Sequence, residues 1–212
     1  MKIYGFPLSP FVRKVLVAAQ EKGLEVELVP TNPQQPDDAF VACSPFRKIP
    51  AMDDHGFKLA DSTAIVAYLD AKYPRIALIP AEAEARGKAV WFEEVADTVL
   101  VPAAVGMVLN RFLRPRIFGT EGDEAAAQAS EEAVKAPLAY LEGEAGGEWL
   151  DGEFSIGDIS VASTLRTLGY AGWELETGTY PNLTAWYERV RARAGWQAAS
   201  AIEERIFAAA GI

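Results

Sequence analysis

The chain has 212 residues, of which 50% are hydrophobic and 24% are charged, which suits one large globular domain or two small ones. Its 20 lysines and arginines against 30 aspartates and glutamates give a net charge of −10. That acidic balance argues against non-specific binding to nucleic acid and to an anionic membrane surface, because both need clustered cations.

Two residue types that occur only once exclude two further kinds of site. The single cysteine, Cys43, cannot form an internal disulfide, and the single histidine, His55, cannot build a multi-histidine metal site. The longest apolar stretch, 99–109, is shorter than the roughly 20 residues that cross a membrane. We therefore expect a soluble, cytoplasmic protein that binds no metal, no membrane and no nucleic acid.

Residues 1–80 alternate strand-like and helix-like patterns. His55 lies in the polar stretch Asp53-Asp54-His55-Gly56, which predicts the turn of a hairpin between two short strands. In chain order, the patterns are a strand at 2–6, a helix at 11–22, a strand at 26–29, a weak helix at 37–42, strands at 49–52 and 57–59, and a helix at 61–73. This order, βαβαββα, predicts an α/β N-terminal domain over 1–75.

The rest of the chain contains only helical patterns. Pro74 and Pro80 bracket a predicted linker, 76–84, because proline ends helices. Ser155 and Asp158 have the spacing of a capping box at a helix start. Predicted helices cover 83–113, 122–143, 157–170, 181–193 and 195–209, so we expect an all-helical domain over 85–212.

Three short motifs in the first 70 residues place polar side chains at the predicted ends of strands and helices. The run S-P-F-V-R-K-V from Ser9 places a hydroxyl just before a helix whose first residue is proline. The run R-K-I-P at 47–50 leads into the third strand, and D-S-T-A-I-V-A-Y-L from Asp61 opens a helix. Each has a simple structural explanation, because serine and aspartate are common helix N-caps and most X-Pro bonds are trans.

Taken in order, and followed by an all-helical second half, these motifs resemble the cytosolic glutathione S-transferase superfamily, particularly its serine-type bacterial, tau and theta classes. The resemblance implies a thioredoxin-like N-terminal domain, a homodimer and a cytoplasmic role in detoxification. It implies a transferase that conjugates the glutathione thiolate to a small, hydrophobic electrophile. One departure is Asp61, where the family usually has glutamate.

The resemblance also implies roles for the motif residues. A thiol with a pKa near 8.5 is only a few per cent thiolate at neutral pH, and the thiolate is the nucleophile. Ser9, with the amides and the dipole of the following helix, is the implied thiolate stabiliser. A cis Ile49-Pro50 bond would let the Ile49 backbone pair with glutathione. Implied contacts of the two ends of glutathione are Lys48 and Arg47 for the glycyl carboxylate, and Asp61 and Ser62 for the γ-glutamyl group.

Other residues keep competing interpretations. Tyr4 is a rival hydroxyl that more often has a packing role, and Arg13 either tunes the field of the site or forms an ordinary ion pair. Arg111 either complements the negative end of a helix dipole or attracts an acidic substrate. The predicted electrophile site lies between the domains and comprises Phe11, Val105, Val108, Arg111 and Phe112.

Alternative functions use the same fold. The chain could be a non-catalytic ligand carrier or protein-interaction module, since fold does not fix function. It could also be a glutathione-dependent isomerase or dehalogenase, which needs the same thiolate. The net charge of residues 1–75 is zero, with nine basic and nine acidic side chains, so the half that is predicted to bind anionic glutathione does not repel it.

Overall fold

The computed structural model describes residues 1–211, and the chain divides into two compact units. The first consists of Met1–Ile79 and the C-terminal segment that starts at Ala192, and the second is Pro80–Arg191. The predicted linker, 76–84, includes the boundary between Ile79 and Pro80. No helix within residues 1–211 is long and apolar enough to cross a membrane.

The elements before the boundary follow the predicted order βαβαββα. Four short strands and three helices make up this part: β1 (Lys2–Gly5), α1 (Pro10–Glu21), β2 (Glu27–Pro30), α2 (Asp38–Cys43), β3 (Ala51–Asp54), β4 (Phe57–Ala60) and α3 (Ser62–Lys72). The strands form one mixed sheet in the order β2-β1-β3-β4, in which β1 is parallel to β2 and antiparallel to β3. The predicted α/β fold class is confirmed.

The predicted hairpin joins β3 and β4 through a two-residue turn. His55 and Gly56 have φ values of 53° and 95°, and Asp54 pairs with Phe57. Positive φ at both positions is typical of the turns whose twist matches a two-stranded hairpin. The Gly56 amide donates to Asp53 Oδ1 at 2.7 Å, which stabilises the turn. His55 is thus the exposed turn residue that the sequence predicts.

The remaining elements are all helical. They are α4 (Ala83–Glu94), a π-helical segment (Val95–Leu100), α5 (Val101–Val108), a second π-helical segment (Leu109–Phe118), α6 (Glu124–Ala133), α7 (Lys135–Glu144), α8 (Ile156–Tyr170), α9 (Pro181–Arg191) and α10 (Ala194–Ala210).

Two of the predicted helices are less regular than the sequence pattern suggests. The helix predicted over 83–113 continues to 118 but contains π-helical turns, and Pro102 and Pro115 remove two donors from its hydrogen-bond ladder. The helix predicted over 122–143 is two helices that meet at Val134. Pro137 has no amide to donate to the carbonyl of Ala133, so it suits the first turn of a new helix.

The predicted capping box at the start of α8 is confirmed. Ser155 Oγ accepts from the Gly157 amide at 3.2 Å, and Asp158 Oδ2 accepts from the Ser155 amide at 3.0 Å. Asp158 Oδ1 also accepts from the Leu150 amide and from Trp186 Nε1, so this fully buried carboxyl group connects α8 to α9. The box therefore starts a helix and anchors the second unit.

The last helix groups with the first unit, although we assigned its residues to the helical domain over 85–212. Helix α10 packs along α1, where Arg13 forms a buried ion pair with Glu203 and donates to Ser200 Oγ at 2.8 Å. Arg193 forms a second ion pair with Glu21 at 2.7 Å. The helical pattern of the sequence cannot show this, because helical residues give the same local pattern in either unit.

Candidate functional site

The first turn of α1 leaves several hydrogen-bond donors unused. Ser9 is the N-cap residue by position, with φ −69° and ψ 125°, but its side chain makes no capping hydrogen bond. Within residues 1–211, the amides of Phe11 and Val12 also find no protein acceptor. A half-buried hydroxyl and unpaired amides at a helix N-terminus together form a group that favours an anion.

The second motif presents an unpaired stretch of backbone next to β3. The Ile49-Pro50 peptide bond is cis, as the resemblance implied. The amide and carbonyl of Ile49 have no backbone partner in the described part of the chain, whereas the Pro50 carbonyl accepts from the Asp61 amide at 3.3 Å. Ile49 can therefore pair with an extended ligand as an added strand would.

The third motif combines a structural cap with unused polar atoms. Asp61 Oδ1 accepts from the Ala64 amide at 3.0 Å, so Asp61 caps α3. Its φ is 84°, a conformation that costs a non-glycine residue about 1 to 3 kcal/mol and that clusters at ligand sites. Ser62 is buried, and its hydroxyl makes no hydrogen bond to any described residue. An exposed carboxylate beside a hydroxyl suits a ligand that carries both an ammonium and a carboxylate group.

Gly5, the last residue of β1, shows how closely the three motifs approach one another. A Cβ atom on Gly5 would lie 2.5 Å from Val12 Cγ2 and 3.5 Å from Ile49 Cβ. The first turn of α1 and the cis-proline segment therefore meet over this glycine, and Pro50 is hydrogen bonded to Asp61. The three motifs, which the family resemblance assigned to one site, therefore lie next to one another in the first unit.

Comparison with known proteins gives the family of this site. The family model described as "Glutathione S-transferase, N-terminal domain" matches residues 3–80, and "Glutathione S-transferase, C-terminal domain" matches residues 124–189. Glutathione S-transferase 3 of Zea mays is 33% identical over 93% of this chain and 91% of its own length. The chain belongs to the cytosolic glutathione S-transferase superfamily.

Solved structures agree with this assignment. A structure of glutathione S-transferase III in apo form is 34% identical, with a TM-score of 0.80, and the match covers 94% of this chain and 95% of the other. A glutathione S-transferase from Rhodospirillum rubrum F11 is 26% identical, with a TM-score of 0.85 and coverage of 93% and 90%. The thioredoxin-like first part and the all-helical second part of the transferase are therefore those of the family.

Tyr4 has the environment of a core residue in this transferase. Its ring lies 6.2 Å from that of Phe40, in a cluster with Cys43 and Ala51. Burial raises the pKa of the Tyr4 phenol. Successive strand residues face opposite sides of a sheet, so Tyr4 points away from the face on which Gly5 contacts α1. These observations favour the packing role over the catalytic one.

Arg13 has the second of its two proposed roles. Its guanidinium forms an ion pair with Glu203, and both side chains are fully buried. The guanidinium carbon also lies 4.2 Å from the centre of the Trp196 ring. Because an opposite charge lies against it, Arg13 contributes to the packing of α1 on α10 more directly than to the field of the thiol site.

The residues predicted for the electrophile site differ in their surroundings. Phe11 belongs to the first unit and is half-buried, and the other four belong to the second. Val105 is 56% exposed, Val108 is only 6% exposed, and the Phe112 ring packs 5.5 Å from that of Tyr170. Val108 is therefore a core residue of the second unit, whereas Val105 is accessible.

Arg111 is held by two carboxylates, which neither of its predicted explanations included. Its guanidinium donates to Glu124, at 2.6 Å for the shortest bond, and lies 2.8 Å from Glu131. The hydrogen bonds that Arg111 donates to Glu124 and Glu131 outweigh desolvation and raise the pKa of Arg111. The acidic partners follow Arg111 by 13 and 20 residues, too far apart for a single-helix pattern to reveal.

Ser44 is a residue near the site that the sequence analysis did not single out. It ends α2, is almost fully buried and hydrogen bonds to the backbone of Lys48. The only sequence signal is a serine before a proline, which is common in loops. No group of three metal-ligating side chains occurs within residues 1–211.

Proposed function

We propose that this glutathione S-transferase uses Ser9 to stabilise the thiolate of glutathione, which then attacks a small, hydrophobic electrophile. The observation that carries the proposal is the unused hydroxyl of Ser9 beside the unpaired amides of Phe11 and Val12. A helix cap would have used that hydroxyl on the helix itself.

The size of the required effect is within reach of these groups. Lowering the pKa of a thiol from about 8.5 by about two units needs about 2.7 kcal/mol of preference for the anion. A hydrogen bond to a charged group contributes about 1.5 to 3 kcal/mol, and a helix N-terminus adds about 0.3 to 1 kcal/mol. One serine hydroxyl and the first turn of α1 are therefore sufficient.

The remaining polar groups match the rest of glutathione. The unpaired amide and carbonyl of Ile49 suit the cysteinyl backbone, and Asp61 with Ser62 suits the γ-glutamyl ammonium and carboxylate. Lys48 is exposed and forms no ion pair with any residue from 1 to 211, so its ammonium is available for the glycyl carboxylate. Arg47 is a second cation in the same exposed loop.

For the electrophile, the accessible apolar side chains are the better candidates. Phe11 follows Ser9 by two residues, and Val105 exposes more than half of its surface. Phe112 remains a candidate, whereas the burial of Val108 and the two carboxylates on Arg111 make these residues weaker ones. We therefore propose an uncharged, apolar second substrate.

The quaternary structure and location are part of the proposal. We propose a cytoplasmic homodimer, as the family resemblance implies. Phe46 is 87% accessible, and we assign this aromatic side chain to the contact with the second subunit. The buried free thiol of Cys43 suits a reducing compartment such as the cytoplasm.

The experiment that tests this function combines retention on immobilised glutathione with turnover of a panel of electrophiles. Retention together with conjugation of an aromatic halide is the expected result, and products of isomerisation or dehalogenation would redirect the proposal within the same thiolate chemistry. Retention without turnover of any panel member would contradict the transferase and favour the ligand carrier.

A further inference from the structure

The loop that presents the glutathione-facing backbone is closed by one buried side chain. Ser44 Oγ donates to the carbonyl of Lys48 at 2.8 Å and accepts from the amide of Lys48 at 2.9 Å. Ser44 is only 1% exposed. Its amide donates a hydrogen bond to the Phe40 carbonyl at the end of α2. The hydroxyl thus fixes both polar backbone groups of Lys48 to the end of a helix.

The rest of this loop has little else to hold it. The four residues from Pro45 to Lys48 are exposed, and Arg47 has a φ of 55°, which is unfavourable for a residue with a side chain. Besides the two hydrogen bonds of the Ser44 hydroxyl, the loop backbone has a hydrogen bond from the Arg47 amide to the Ser44 carbonyl at 2.9 Å. All three of these hydrogen bonds involve Ser44, so the conformation of the loop depends on this residue.

The position of the clamped residue links Ser44 to the site. Lys48 directly precedes Ile49, whose amide and carbonyl are unpaired, and its own ammonium is the cation assigned to the glycyl carboxylate. A shift of the Lys48 backbone would therefore move the charged group and the pairing edge together. A misplacement of about 1 Å is enough to weaken recognition.

We propose that Ser44 is a positioning residue that pre-organises Lys48 and Ile49 for glutathione, an inference that rests on the proposed function. It acts on binding rather than on the thiol, because its hydroxyl is bonded to the loop and not to Ser9 or to the first turn of α1. Without it, the loop populates several conformations, and the apparent affinity falls by the fraction that remains competent.

The test compares Ser44→Ala with two matched variants. Ser44→Ala should raise the Kd and KM for glutathione about tenfold, while kcat at saturating glutathione and the pKa of the bound thiol stay at the wild-type values. Ser44→Thr keeps the hydroxyl, and the extended φ and ψ of residue 44, −128° and 87°, suit a β-branched side chain, so it should restore the affinity. Ser160→Ala, which deletes an equally buried hydroxyl that is bonded to the Ile156 carbonyl in α8, should leave both constants unchanged.

The Kd is measured by calorimetry with glutathione alone, at a temperature well below the melting transition of each variant. This readout does not depend on the electrophile, so it separates the two proposals. If the wild type binds glutathione and Ser44→Ala binds it equally well, or if the change appears in kcat or in the thiol pKa, Ser44 is not a positioning residue. If the wild type itself binds no glutathione, the proposed function fails and the role of Ser44 fails with it.

Discussion

At the residue scale, α1 shows that neighbouring polar side chains on one helix can have opposite roles. Ser9 leaves its hydroxyl without a helix partner, whereas Arg13, one turn later, is enclosed by Glu203, Ser200 and Trp196 of α10. Local sequence favoured a cap for Ser9 and left Arg13 undecided between the site and an ion pair. The distinction depends on contacts with residues almost 190 positions away, which no local pattern contains.

The buried ion pair leads to a prediction about stability. Glu203→Gln should lower the free energy of unfolding by about 3 to 5 kcal/mol, because it removes the carboxylate that forms an ion pair with the buried Arg13 guanidinium. Urea unfolding followed by tryptophan fluorescence measures the loss. The exposed pair Arg191–Glu188 is the control, and Glu188→Gln should cost less than about 1 kcal/mol. Equal effects of the two substitutions would show that burial does not matter here.

At the scale of elements, the hairpin is held to α3 by a group of charged and polar side chains. Asp54, buried at the end of β3, accepts from the Tyr68 hydroxyl at 2.7 Å and from Lys72 Nζ at 2.5 Å. Desolvation alone would raise the pKa of Asp54, but the hydrogen bonds from Lys72 and Tyr68 outweigh it and lower the pKa. The folded state therefore favours the ionised carboxylate more than the unfolded chain does.

The sign of this shift predicts a pH dependence. The contribution of Asp54 is fully present above the pKa of an unfolded aspartate, about 3.9, and is lost as the pH falls through the lower folded value. Asp54→Asn should destabilise the protein by about 2 kcal/mol at neutral pH, and the difference from the wild type should shrink below about pH 4. Denaturant unfolding at several pH values measures this stability difference. Lys72→Met should remove much of the same pH dependence of stability. A difference that is constant down to pH 3 would contradict it.

The elements also show which features local sequence can predict. The His55-Gly56 turn, the Ser155–Asp158 cap and the order of the site motifs were predictable, because turns, caps and strand ends are encoded by residues within a few positions of one another. The Ser44 clamp spans only four residues, but serine before proline is too common in loops to indicate it. The two carboxylates that bind Arg111 come from α6, so this contact could not be predicted without the fold.

At the scale of the whole molecule, the acidity of the chain lies outside the thioredoxin-like part. Residues 1–75 have no net charge, and the second part of the sequence carries the whole charge of −10. The C-terminal segment that completes the first unit, from Ala192, adds two arginines and two glutamates, so the unit remains neutral. Anionic glutathione therefore meets no net repulsion from the unit that is proposed to bind it.

The grouping of α10 with the first unit predicts the effect of truncation. A chain that ends at Arg191 loses the helix that packs on α1, including the partners of Arg13 and the Phe207 ring that lies 5.5 Å from Phe6. Phe6 and Arg13 flank Ser9, so this chain should lose glutathione binding and melt at a lower temperature. Truncation after Phe207 removes only exposed alanines and the residues after them. This chain should keep glutathione binding and the wild-type melting temperature. Full binding by the shorter chain would show that the first unit is complete without α10.

The central claim, that Ser9 stabilises the thiolate, is tested most directly by the pKa of the bound thiol. Titration of the thiolate absorbance in the binary complex with glutathione should give a wild-type pKa about two units below that of a free thiol, about 8.5. Ser9→Ala should raise the pKa of the bound thiol most of the way back to that of a free thiol and should lower kcat. Ser9→Thr, which keeps a hydroxyl, should retain part of the lowering of the pKa. An unchanged thiol pKa and an unchanged kcat in Ser9→Ala would contradict the account.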